Sequence, residues 1–146
     1  MKPVMLALST FRRSQKAIDL AIEKAAEGKQ LVVVYVADVN LARYFIGIDV
    51  PRDVKEKCEE ELLDEHRERG TKVVESIAAR AAQHGIEVTS HVEIGRFALK
   101  VLDVVRREPP ALIVTTRSKR PNWVKRVFGA PVDFLIENAG CPIVEA

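Results

Sequence analysis

Residues 30–37 read Gln-Leu-Val-Val-Val-Tyr-Val-Ala, a run in which apolar side chains follow one another without alternation. A strand with one wet face alternates, so an unbroken run of this length predicts a strand covered on both faces, as in a parallel sheet with helices above and below. Residues 3–9, Pro-Val-Met-Leu-Ala-Leu-Ser, read the same way. Between the two runs, Ala17, Ile18, Ala21, Ile22 and Ala25 recur at helical spacing, and Gly28 supplies a stop signal before the second strand. The opening of the chain is therefore a β-α-β unit.

The pattern continues outward. Residues 51–84 are rich in Glu, Arg, Lys and Ala and open with Pro51, which a first helical turn tolerates. The apolar marks Val54, Cys58, Leu62, Val73, Ile77 and Ala81 step by about four, which predicts one long helix with a single face on the sheet. The charged run between Cys58 and Arg69 reads as its solvated face, and Gly70 is expected to kink or interrupt it. Gly85 ends the helix. Residues 86–92 then alternate as Ile-Glu-Val-Thr-Ser-His-Val, the pattern of an edge strand. Phe97, Ala98, Val101, Leu102 and Val105 mark a third helix closed by Pro109 and Pro110, and residues 111–116 form a fourth strand. Pro131, Val132, Leu135 and Ile136 mark a short fourth helix ending near Gly140, and residues 142–145 form the last strand. Residues 38–50, with Tyr44, Phe45 and Ile46, read as a loop or lid over the carboxyl end of the sheet.

The order β-α-β-α-β-α-β-α-β, joined by right-handed crossovers, predicts an α/β fold. It is a doubly wound, five-stranded parallel sheet of Rossmann-like type, order 3-2-1-4-5, with four helices in one domain spanning residues 1–146. Ligands of such sheets bind outside the carboxyl ends of the strands, at the point where the strand order reverses.

Composition narrows the function. At 47% apolar and 30% charged residues the chain reads as folded rather than disordered. A net charge of +2 is far from that of a dedicated nucleic-acid binder, so nucleic acid is not an expected partner. The opening apolar run is too short for a signal peptide and no later run reaches membrane-spanning length, so a cytoplasmic location without membrane contact is expected. Cys58 and Cys141 lack ligand-like spacing and read as reduced thiols, with Cys141 in a buried structural role. His66 and His84 fall on the long helix and His91 on the edge strand, none with a ligand-spaced or nucleophile-spaced partner. Neither the dinucleotide fingerprint nor the Gly-x-x-x-x-Gly-Lys-Ser loop follows the first strand. No enzymatic activity is expected.

Several segments resemble the universal stress protein family in order and spacing. Residues 4–18, Val-Met-Leu-Ala-Leu-Ser-Thr-Phe-Arg-Arg-Ser-Gln-Lys-Ala-Ile, are similar to the family's I-L-V-A-V-D-G-S strand and the helix after it. Ser9 falls on the family aspartate, and Tyr35 stands where a histidine is common. Glu93-Ile94-Gly95-Arg96-Phe97-Ala98 resembles the E-G-D-P-A turn, Ala111-Leu-Ile-Val-Thr-Thr the strand A-D-L-I-V-M-G, and Ala139-Gly-Cys-Pro-Ile-Val the closing A-P-C-P-V-L.

ATP-binding members of that family carry G-x-x-G, nine residues, then G-S or G-T, and this spacing sets Thr116, Lys119, Gly129 and Ala130 on the motif positions. Only Gly129 survives. Glycines let backbone N–H groups approach a phosphate, and a hydroxyl followed by a free helix N-terminus completes the cradle. Thr116 and Lys119 add side chains there, Ala130 has no hydroxyl, and Pro131 has no N–H to donate. The resemblance therefore implies a degenerate nucleotide site at Ser9, Val36, Thr116, Arg117, Lys119, Gly129 and Ala130, a member of the type that does not bind ATP, and no cofactor.

The family also implies a homodimer through the last strand, acting on an unidentified protein partner; pairing the short apolar edge at residues 143–145 with its symmetry mate would satisfy its open backbone groups. The alternative is a module that binds ATP, AMP or another phosphorylated ligand. Residues 117–126, Arg-Ser-Lys-Arg-Pro-Asn-Trp-Val-Lys-Arg, hold five basic residues and no acid, so side-chain charge could replace the missing backbone cradle.

Overall fold

The computed structural model describes residues 2–10, 14–39, 51–116 and 131–146. Its elements are β1 (Val4–Ser9), α1 (Gln15–Ala25), β2 (Gln30–Asp38), α2 (Arg52–Ala82), β3 (Glu87–Gly95), α3 (Phe97–Arg107), β4 (Leu112–Thr115), α4 (Pro131–Asn138) and β5 (Ile143–Glu145). All strand pairs are parallel, and the sheet runs β3-β2-β1-β4-β5 as the sequence predicts.

The unbroken apolar runs are explained by two separate packing layers. Alternate residues of β1 and β2 face opposite ways, as strand geometry requires. Leu6, Leu8, Leu31, Val33 and Tyr35 join α1 and the second half of α2 on one face. Met5, Ala7, Val32, Val34 and Val36 join α3 and Leu135 of α4 on the other. Every residue of β1 is buried, and so is all of β2 after Gln30. Cys141 is half-buried against the second layer, and that burial raises its thiol pKa above the ordinary value.

β3 is an edge strand, but it runs past Val92 to Gly95 because it pairs with β2 residue for residue, from Gln30 with Glu87 to Asp38 with Gly95. Asp38 is accordingly the last residue of β2 rather than the start of a loop; residues 40–50 lie outside the described residues.

Two local expectations change. The left-handed turn after α1 falls on Lys29 (φ 57°), not on Gly28. The Lys29 N–H donates to Ala25 O at 2.7 Å and its carbonyl accepts from Glu87 N at 2.9 Å, so two backbone bonds hold a conformation that costs a side chain energy. His84 lies in the turn beyond α2, and Gly85 (φ 70°) completes that turn.

α2 also differs from expectation in how it packs. Its 31 residues span ~46 Å at the helical rise, against ~30 Å for the nine residues of β2. It buries only Gly70, Val74, Ile77 and Ala81, whereas Val54 and Cys58 are exposed. The apolar spacing is helical throughout, but the first half overhangs the sheet and carries its own ion pairs, Arg52 with Glu56 and Arg69 with Glu65. Gly70 does not interrupt the helix. It is buried beneath the Tyr35 ring, so its missing side chain serves packing.

Candidate functional site

The strand order reverses between β1 and β4, and the carboxyl ends of these strands carry a run of hydroxyls. Ser9 ends β1 fully buried, in register with Val36 of β2. Thr10 extends the ladder by one step, its N–H donating to Val36 O at 3.3 Å. Its Oγ1 is buried and finds no hydrogen-bond partner among the described residues.

Across the reversal, Ala7 pairs with Thr115. The Thr115 hydroxyl donates to Ala7 O at 2.9 Å, and its backbone carbonyl accepts from Ala146 N at 2.8 Å. Thr116, 1% exposed, follows immediately. Asp38 closes β2 beside this group, 1% exposed, next to Val39, whose N–H donates to Gly95 O at 3.0 Å.

Of the residues expected at a site, the fold thus brings Ser9, Val36 and Thr116 to one end of the sheet. Arg117, Lys119, Gly129 and Ala130, with the rest of the basic loop, lie outside the described residues. Sequence reading missed Thr10, Thr115 and Asp38. Asp38 left a signal, a lone acid directly after seven apolar residues. The roles of Thr10 and Thr115 left none, since a threonine hydroxyl on a strand becomes buried only through the tertiary fold.

Chemically the crevice offers hydroxyls, one buried carboxyl group and the apolar Val36. Hydroxyls both donate and accept, so these groups suit hydrogen bonding to a polar ligand. The described histidines lie elsewhere. His91 Nε2 and Glu108 Oε2 are 2.5 Å apart, tying β3 to the segment just beyond α3. That segment sits at the amino-terminal side of the sheet, where Ala111 N donates to Pro3 O. His66 is on α2, where burial, and secondarily the Arg69 charge, lower its pKa below the ordinary 6.5. Among the described residues no three His, Cys, Asp or Glu side chains cluster as metal ligands, and no helix is long and apolar enough to cross a membrane.

A profile of the Universal stress protein family matches residues 1–144. A direct comparison with curated protein sequences gives no match. Among solved structures, the chain is similar to the universal stress protein UspA from Lactobacillus plantarum, at 17% identity and a TM-score of 0.72 over 98% of this chain and 96% of that one. It is similar to a protein of the same family from Burkholderia pseudomallei, at 23% identity and 0.63 over 98% and 94%. A third, a universal stress protein family protein from Arabidopsis thaliana with AMP bound, matches at 13% identity and 0.55 over 98% and 90%.

Proposed function

The chain belongs to the universal stress protein family, and from that premise we propose that it is a non-enzymatic member of the type that does not bind ATP, acting as a homodimer. The observation that carries this reading is Thr116. It stands at the first glycine position of the family's phosphate motif, and at the end of β4 it adds a buried side chain where glycine has none. Ser9, at the family's aspartate position, is buried in the same crevice and leaves that place without an acid.

The dimer is supported by the edge position of β5 and by apolar surface in the same part of the chain. Phe134 and Ile136 of α4 and Val144 of β5 remain exposed in the single chain. Strand-edge pairing with a second copy would cover such surface and complete the open backbone bonds.

The test is a mass measurement on the denatured, freshly purified protein, followed by calorimetry with magnesium and millimolar ATP. No co-purified nucleotide and no heat are expected, together with sedimentation as a dimer that Val144→Lys converts to a monomer. A stoichiometric nucleotide would overturn the first part, and a concentration-independent monomer the second. The AMP bound to the Arabidopsis relative favours a second reading, in which this chain holds a phosphorylated ligand through Arg117, Lys119 and Arg120. A ligand-induced thermal shift lost in Lys119→Ala would establish it in place of the first.

A further inference from the structure

A groove of about 440 Å³ runs between α1 and α2, on the sheet face away from α3 and α4. Its floor is apolar. Ile18 and Ile77 are buried there and Val73 is half-buried beside them. One wall is a ladder on α2, where Lys72, Ser76 and Arg80 follow at intervals of four and so project from one helical stripe. The opposite wall is the first turn of α1, with Gln15.

The two cations differ in their surroundings. Arg80 Nη1 is held 2.5 Å from Asp19 Oδ1 across the helix pair. Gln15 Nε2 donates to the same Asp19 oxygen at 3.0 Å, and this hydrogen bond, then Arg80, lowers the Asp19 pKa below its ordinary value. Asp19 therefore stays ionised and balances one positive charge. Lys72 has no ion-pair partner among the described residues, so its ammonium is left to meet a ligand above the apolar floor, while the Ser14 hydroxyl on the facing wall donates to Ala146 O at 3.5 Å. The fixed guanidinium retains N–H donors beyond the one facing Asp19.

From this arrangement we infer that the groove binds a small organic monoanion with an apolar body. The body lies on Ile18, Val73 and Ile77, and the head group, a carboxylate or sulfonate, sits between Lys72 and Arg80. The volume falls within the range of small-ligand pockets, and Lys72 offers one cation to one head group. A triphosphate has no apolar body and would leave the floor uncovered. This site goes beyond the proposed function and is independent of it, since it uses no residue of the crevice at the carboxyl ends of the strands.

The probe is 8-anilinonaphthalene-1-sulfonate, an apolar body with one negative charge, whose fluorescence rises on leaving water. In low salt the folded protein is expected to bind about one equivalent per chain, and Lys72→Glu to weaken binding about tenfold, the scale of a lost charge-assisted hydrogen bond. Ser76→Phe, which fills the groove from an exposed helix position, is expected to abolish the signal. Unchanged melting curves establish that both variants remain folded. No saturable signal with the wild-type chain, equal binding by Lys72→Glu, or displacement of the probe by excess ATP would each overturn the assignment. Displacement by octanoate or benzoate would support it.

Discussion

The ring of Tyr35 on β2 packs against the α-carbon of Gly70 on α2, so closely that a β-carbon added at Gly70 would lie 2.5 Å from Cε1 and 2.9 Å from Cγ of that ring. Alanine normally stabilises a helix interior by about 1 kcal/mol relative to glycine. Here the collision is with a rigid, buried ring, and the sign reverses. Gly70→Ala is expected to destabilise by about 2 kcal/mol, within the usual cost of overpacking. Urea melts check it. In a double-mutant cycle with Tyr35→Leu the alanine is expected to cost much less, because the obstructing ring is gone.

Thr115 joins β4 to β1 through its side chain as well as through the ladder, its hydroxyl donating to Ala7 O in a fully buried setting. Thr115→Val keeps the shape and leaves that carbonyl without the bond. A loss of about 1 to 2 kcal/mol is expected from chemical denaturation. No loss would mean that the carbonyl is satisfied by the ladder alone.

Lys29 holds φ 57° without being glycine. Its two backbone hydrogen bonds impose the conformation, and the β-carbon pays for it. Lys29→Gly is expected to raise stability by up to about 1 kcal/mol despite the greater freedom of glycine in the unfolded chain. The same change at Lys24, inside α1, is expected to lower stability. Paired thermal melts of the two variants decide the matter.

His66 links stability to pH. Burial, then the Arg69 charge, lower its folded pKa below 6.5, so between the two values the unfolded chain binds more protons. Its contribution is complete above the unfolded value and is lost as pH falls through the folded one. Stability is therefore expected to decline as pH drops from about 7.5 to about 5, with a shallower slope in His66→Gln. Nuclear magnetic resonance titration of the ring is expected to give a midpoint below that of a histidine in an unstructured peptide. A midpoint above it would remove the argument.

Much of the architecture was legible because β1 and β2 are buried on both faces, and no other element writes so plain a pattern into a sequence. Gly85 and Gly140 also announced themselves, since both take the left-handed conformation that glycine tolerates. The failures have physical causes. The spacing of Val54, Cys58 and Leu62 reports that the segment is helical, but not where the sheet beneath it ends. Gly70 carries the same letter whether it breaks a helix or admits a ring, and only the position of Tyr35 separates the two. Of the crevice, Ser9, Val36 and Thr116 were legible only through the resemblance to the family's motifs. Asp38 was lost to a boundary set one residue too early, and the hydrogen bond from Thr115 to Ala7 joins residues 108 positions apart.

The sheet is also a partition. Val34 and Tyr35 are bonded neighbours in the chain, yet one belongs to the layer under α3 and the other to the layer under α1 and α2. A change of volume at either is absorbed by different atoms. The two halves of the interior can thus be altered almost independently, and the layer under α3 and α4 can accumulate substitutions with little readjustment on the α1–α2 side.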